Sequence, residues 1–275
     1  MLLSNENYYS PEANRAYFSV SQIKRFLDCE AAAMAELKGL WVPEKTQALL
    51  VGGYIDAHFS RELDLFRAQN PEIYTKNGSL RAEYQQAETI IARLERDVLA
   101  MRMMDGERQH IVTGEIGGLP FKAKLDVLLS AEVVAGIGRE YPGMSELMFA
   151  EGAIVDLKIM RDFKPIYKDG EGRQSWIEAW RYDLQMAVYQ ELMRQETGEK
   201  LPCYIIAATK EKVPDIGLFE VPQGILDANM EWLEEKLPHI GAVKQGNAEA
   251  ERCEYCEWCR QSKVLTGATW PEEWA

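Results

Sequence analysis

The stretch GAIVDLKIM, Gly152 to Met160, places Asp156 and Lys158 inside a run that otherwise reads as a buried strand. Successive side chains on a strand alternate faces, so Asp156 and Lys158 project together while Val155 and Leu157 project the other way. A carboxylate and an ammonium are thereby presented side by side. An ordinary structural ion pair satisfies that pattern, and so does a catalytic pair. The residues around the strand must decide between them.

Immediately upstream, HIVTGEI (110–116) and LPFKAKLDVLL (119–129) alternate as two strands joined by Gly117-Gly118, a hairpin signal. Asp126 lies near the end of the second, 30 residues before Asp156. Neighbouring strands run about 4.8 Å apart, so carboxylates on adjacent strands can share one divalent cation. Mg²⁺ takes oxygen ligands and keeps several waters, a demand that two carboxylates and a phosphate oxygen meet. Lys158 can position a water or stabilise charge developing on phosphorus. Such a site suits phosphodiester hydrolysis.

Farther out, helical spacing dominates. Ser19–Gln22 has the form of a capping box and opens a helix expected over Val20–Leu37, carrying Cys29. A second helix begins near Thr46 and runs through ALLVGGYIDAHFSRELDLF, where Gly52 and Gly53 point to a close approach. A third covers Leu80–Met104. Residues 131–150 read as an irregular insertion. A strong helix follows over Ser175–Gln195, then strands at PCYIIAATK and IGLFEVP, then a helix over Gln223–Lys244. The order predicts an α/β fold. There is no repeat, low-complexity tract or linker, so residues 1–275 are read as one domain.

Composition is that of a globular chain, with 47% hydrophobic residues. The net charge of −13 argues against a broadly basic nucleic-acid coat, although a carboxylate cluster raises the acidic count and a local basic groove can coexist with it. No run approaches the roughly 18 apolar residues of a membrane span, and no leader pattern opens the chain, which reads as cytosolic.

Together, Asp126, then Asp156-Leu157-Lys158, then Gln185 and Tyr189 in YDLQMAVYQELM, resemble the PD-(D/E)XK nuclease superfamily. The Q-x-x-x-Y element and GGYIDAHF resemble motifs of its RecB-like branch, and the whole is similar to RecE-type phage and prophage exonucleases. The resemblance spans about Tyr17 to Leu265. It implies a restriction-endonuclease-like core, a mixed central sheet flanked by helices, with extra N-terminal helices. It implies that His58, Asp126, Asp156 and the Leu157 carbonyl hold Mg²⁺ or Mn²⁺ and that Lys158 is the catalytic lysine. Glu115 matches an acidic position, and Gln185 and Tyr189, four apart on one helix face, would support the lysine and contact DNA. Two departures stand out: Ile159-Met160 replaces a small hydroxyl pair after the lysine, and the gap between the aspartates is long. The implied substrate is linear double-stranded DNA. A single-strand annealing recombinase partner, a homo-oligomeric ring and a phage or prophage origin in a bacterial cytoplasm are implied too.

CEYCEWC is the second specific signal, setting Cys253, Cys256 and Cys259 at C-x₂-C-x₂-C. Ferredoxin-type [4Fe-4S] binding uses three thiolates so spaced with a fourth from elsewhere. Zinc more often takes two separated pairs and fits less well. Cys29 and Cys203 are the available fourth thiols; the resemblance to nucleases with a split iron-sulfur staple points to Cys29.

Overall fold

The computed structural model of the chain describes residues 1–44, 46–168, 170, 172–265 and 267–268. The end of the expected 1–275 domain lies outside the described residues. Two compact units are present, one of Met1–Val20 with Glu44–Glu235, the other of Ser21–Pro43 with the residues from Lys236 onward.

The elements before the sheet are α1 (Pro11–Ala16), α2 (Val20–Asp28), α3 (Glu30–Leu37), α4 (Gln47–Phe59), α5 (Leu63–Gln69), α6 (Ala82–Glu95) and α7 (Val98–Met103). Then come β1 (Glu107–Ile116), β2 (Leu119–Ser130), α8 (Ala131–Glu140), β3 (Gly152–Met160), β4 (Ile166–Lys168), β5 (Gly172–Gln174) and α9 (Trp176–Ala179). The chain continues through α10 (Tyr182–Thr197), β6 (Cys203–Thr209), β7 (Ile216–Val221), α11 (Gln223–Gln245) and α12 (Glu257–Gln261).

The first unit is built on a five-stranded mixed sheet in the order β1-β2-β3-β6-β7. Only β3 and β6 run parallel among its neighbours. Gly117 and Gly118 at the β1–β2 turn have φ of 58° and 73°, the positive values that a two-residue hairpin turn of this twist requires. One sheet face carries Val127, Leu129 and Val155 into a core with Tyr54 and Ile55 of α4 and Ile90 and Leu94 of α6. Asp126, Asp156 and Lys158 sit on alternate positions, the side along which α10 packs. The expected α/β fold with its mixed sheet and flanking helices is the fold observed.

Several helix ends differ from the sequence expectation. The helix expected over Val20–Leu37 breaks at Cys29, which is extended (φ −169°, ψ 111°) and starts α3. The third helix divides where Asp97 accepts from the Ala100 amide and caps α7. Arg181, left-handed with φ 51°, separates α9 from α10. Residues 131–150 are not irregular: Ser130 caps α8, which buries Val134 and Ile137, and a 3₁₀ stretch follows over Pro142–Phe149. Gly138 makes that turnback feasible, since a Cβ there would meet the Met148 amide nitrogen at 2.7 Å. Of the two glycines in α4, a Cβ at Gly53 would meet the Phe66 ring at 3.2 Å, and one at Gly52 would meet nothing within 4 Å.

In the second unit Glu30 ties the two chain segments together. Its carboxylate accepts from the Glu251 amide at 2.9 Å and lies 2.7 Å from His239 Nε2, while the Ala31 amide donates to the Glu251 carbonyl at 3.0 Å.

Candidate active site

The β2–β3 ladder runs from Ser130↔Gly152 to Val127↔Val155 and stops. The next residues, Asp126 and Asp156, therefore stand where the two strands part. Asp126 Oδ2 replaces the missing ladder by accepting from the Leu157 amide at 2.9 Å. On its other side Asp126 is also released from pairing. Arg108↔Val127 and His110↔Leu125 flank it, and Gln109 between them is left-handed with φ 55°. Irregular pairing of this kind commonly re-aims side chains beside active sites.

Asp156 is 1% exposed. Its Oδ1 accepts from Gln185 Nε2 at 2.7 Å, and its buried Oδ2 ion-pairs with the Lys158 ammonium. Gln185 Nε2 also lies 3.2 Å from the Tyr189 hydroxyl, so the pair four apart on α10 reaches the aspartate as one unit. Lys158 Nζ stands 5.0 Å from the Tyr182 ring centroid. Desolvation works against the ammonium, but the Asp156 and Asp126 carboxylates outweigh it and hold its pKa above the usual lysine value. Burial, reinforced by Asp156 and opposed by Lys158, pushes Asp126 well above the ordinary carboxylate range. Burial likewise raises Tyr189, with Asp156 and Asp126 adding to it.

Asp56 joins these groups, although the sequence reading passed over it. Burial raises its pKa against the pull of Lys124 and Lys158, and Asp156 adds to the rise. Gln109 Nε2 lies 3.4 Å from Asp56 Oδ1 and 3.2 Å from Ser60 Oγ, which fixes this end of α4 beside β1. His58 points elsewhere, with Nε2 2.9 Å from Glu95 Oε1. Two residues subtend about 200° on a helix, so Asp56 and His58 cannot share a face. Glu115 is exposed near the turn end of β1, opposite Pro120, roughly 20 Å along β2 from Asp126. Its backbone is held at both N–H and C=O by Gln195.

Lys122 and Lys124 share the Asp126 face of β2. Lys122, 1% exposed, donates to the Tyr8 carbonyl and, at 2.8 Å, to Asn14 Oδ1; burial lowers its pKa to about 8. Lys124 Nζ lies 4.9 Å from the Tyr9 ring centroid. Tyr9 is 69% exposed and within electrostatic reach of Asp56, Asp126 and Glu62. No periodic pattern marks Tyr9, Asp56 or Gln109 in the sequence; only the fold gathers them.

The donors Asp56, Asp126 and Asp156 form a hard oxygen set. Burial makes Asp56 and Asp126 hold protons more tightly than free carboxylates, a cost that a divalent cation would relieve, so the residues present fit Mg²⁺ or Mn²⁺. Among the described residues only Cys29, Cys253, Cys256 and Cys259 bring three or more candidate ligand atoms within 4.8 Å of one another. The carboxylates stand wider, with the Lys158 ammonium against Asp156.

In that quartet Cys29 Sγ lies 3.6 Å from Cys259 Sγ, and Cys253 Sγ lies 4.0 Å from the same atom. The Cys256 amide donates to Cys253 Sγ at 3.3 Å and the Cys259 amide to Cys256 Sγ at 3.4 Å. Burial opposes ionisation of Cys253, but N–H donors from Cys256 and Tyr255 prevail and bring it down to about 7. Cys203 stays in the sheet core, its thiol 3.8 Å from the Met186 carbonyl.

A family model described as a PDDEXK-like domain of unknown function (DUF3799) matches residues 19–137 and 134–262. A crystal structure of a protein from Eubacterium rectale, described as a "Putative exonuclease", is 41% identical to this chain. The two superpose with a TM-score of 0.89 over 100% of this chain and 98% of that one. No curated protein matches. No helix among the described residues is long and apolar enough to cross a membrane.

Proposed function

Because the chain belongs to this family of PDDEXK-like domains, we propose that it is a metal-dependent deoxyribonuclease degrading linear double-stranded DNA from its ends. The observation that carries this is the parting of β2 and β3 at Asp126 and Asp156, with Lys158 paired to one carboxylate and Gln185 fixing its other oxygen. The Eubacterium rectale relative supports the exonuclease assignment.

Asp56, Asp126 and Asp156 would hold the Mg²⁺ or Mn²⁺, with Leu157 beside them on the strand. When bound, that cation supplies Lewis acidity toward phosphoryl oxygens. Lys158, kept charged by Asp156 and Asp126 in a half-buried setting, stabilises negative charge building on the phosphate. Gln185 holds the Asp156 carboxylate in one plane, and Tyr189 holds Gln185. Tyr9, with Lys124 against its ring, offers an exposed aromatic face to a base at the strand end, where stacking is worth about 1–3 kcal/mol. His58 and Glu115 remain proposals of the family resemblance alone. So do a role in phage-type recombination, an annealing recombinase partner, assembly of copies around DNA, and a cytoplasmic site of action.

The test is digestion of end-labelled linear duplex beside closed circular DNA, with Mg²⁺ and with chelator, comparing wild type and Lys158→Ala. Metal-dependent loss of the linear duplex only, absent in the variant, is expected. Nicking of the circle would make it an endonuclease, and binding without cleavage of either would make it a DNA-binding module.

A further inference from the structure

The thiol quartet of the second unit was expected, by spacing and resemblance, to carry a four-iron cluster. Its geometry disagrees. In a [4Fe-4S] cluster each thiolate binds a different iron, so the sulfurs stand on the outside of a cube and well apart. Here all four Sγ atoms lie within 4.8 Å of one another, and two of the separations are 3.6 and 4.0 Å. A tetrahedral ion with metal–sulfur bonds of about 2.3 Å sets its sulfurs about 3.8 Å apart. The separations are those of four thiolates around one point.

The scaffold around the thiols reinforces that size. Cys29 and Cys259 are 4% and 0% exposed, and Ala32, 0% exposed, packs against them. Trp41 and Trp258, with ring centroids 6.3 Å apart, lie against the same cluster. Amide-to-sulfur hydrogen bonds at Cys253 and Cys256 fold the C-x₂-C-x₂-C loop inward around its own sulfurs. Arg252 Nη2 donates to the Cys259 carbonyl at 2.7 Å and holds the loop closed from outside. Cys29 completes the set from the extended break between α2 and α3, the one place in that stretch where the chain leaves helical geometry.

We propose that Cys29, Cys253, Cys256 and Cys259 bind a single tetrahedral Zn²⁺, and that this ion, redox-inert and closed to exogenous ligands, fastens Ser21–Pro43 to the segment beyond Lys236. With four protein thiolates the coordination shell is full, the mark of a structural and not a catalytic zinc site. Binding releases a proton from each thiol still protonated, and no electron moves. The proposal is independent of the nuclease reading, because no group of the carboxylate site takes part.

The full chain, expressed with iron and zinc both supplied and purified without air, is assayed for metals, acid-labile sulfide and visible absorbance. About one zinc ion per chain, no sulfide and a colourless protein are expected. Iron with stoichiometric sulfide and a brown protein would overturn the single-ion assignment, and so would a chain with neither metal. Exchange into Co²⁺ adds a spectroscopic count of thiolates. The wild type is expected to show intense thiolate-to-cobalt absorption and tetrahedral d–d bands, Cys29→Ser to lose a large part of that intensity, and Cys203→Ser to match the wild type. If Cys29→Ser does not fold, the wild-type cobalt spectrum decides: weak octahedral bands overturn the proposal.

Discussion

Asp156 and Lys158 bind each other so closely that neither can be altered alone without exposing the other's need for a partner. Removing the ammonium leaves a 1% exposed carboxylate uncompensated, an arrangement that commonly costs about 3–5 kcal/mol. Lys158→Ala is therefore expected to melt lower than wild type without metal, to recover in part with Mg²⁺, and to lose about 10²–10³-fold in kcat. Melting curves with and without Mg²⁺, beside single-turnover cleavage, check both halves. Asp56 and His58 make a sharper comparison. Asp56→Asn should abolish metal-dependent cleavage while His58→Ala leaves most of it; the reverse ranking would return the ligand role to the histidine. The D-x-K pair and the Q-x-x-x-Y face were legible because strand and helix periods alone place those side chains together. Which of Asp56 and His58 the fold turns toward the strand carboxylates was not. Both lie on α4, and the helix's rotation is set by Tyr54 and Ile55 packing into the core, contacts made with α6 and the sheet.

Among elements, the sheet was the legible part, since Gly117-Gly118 and the alternating runs on either side specify strand and turn locally. Helix breaks were not, because each depends on one residue answering to something distant or unusual in backbone geometry. Cys29 turns extended so that its thiol meets Cys259, and Arg181 enters the left-handed region ahead of α10. Residues 131–150 hid a helix behind Gly136 and Gly138, which read as loop residues. Gly138 lets the Met148 backbone approach, so Gly138→Ala should cost about 1–3 kcal/mol by displacing the 3₁₀ stretch. Chemical denaturation measures this, and an unchanged midpoint would mean the stretch shifts freely. Gln185→Ala removes the hydrogen bond to Asp156 Oδ1 and should cost about 1–3 kcal/mol, with kcat falling more than KM rises.

For the whole molecule, the site's electrostatics predict a pH-dependent stability that metal should reverse. Asp126 has a folded pKa above its unfolded value, so the stability it contributes is complete below about pH 4 and lost as pH rises through the folded value. Metal-free protein should therefore melt lower at neutral than at mildly acid pH. Mg²⁺ should raise the midpoint more at neutral pH, and Asp126→Asn should flatten both trends. About 1 kcal/mol corresponds to roughly 2–4 °C for a chain of this size, which a thermal scan resolves. The second unit carries a different consequence, one of timing. Its segments are separated by some two hundred residues of the first unit, and a ribosome adding about 5–20 residues per second needs roughly 10–45 s to travel from Cys29 to Cys253. Throughout that interval the nascent α3 presents an alanine-rich face and a lone thiol with no partner yet translated. Oxidants and chaperones in the cell meet this half-made unit first, and it can close only after the nuclease fold between its halves has been synthesised.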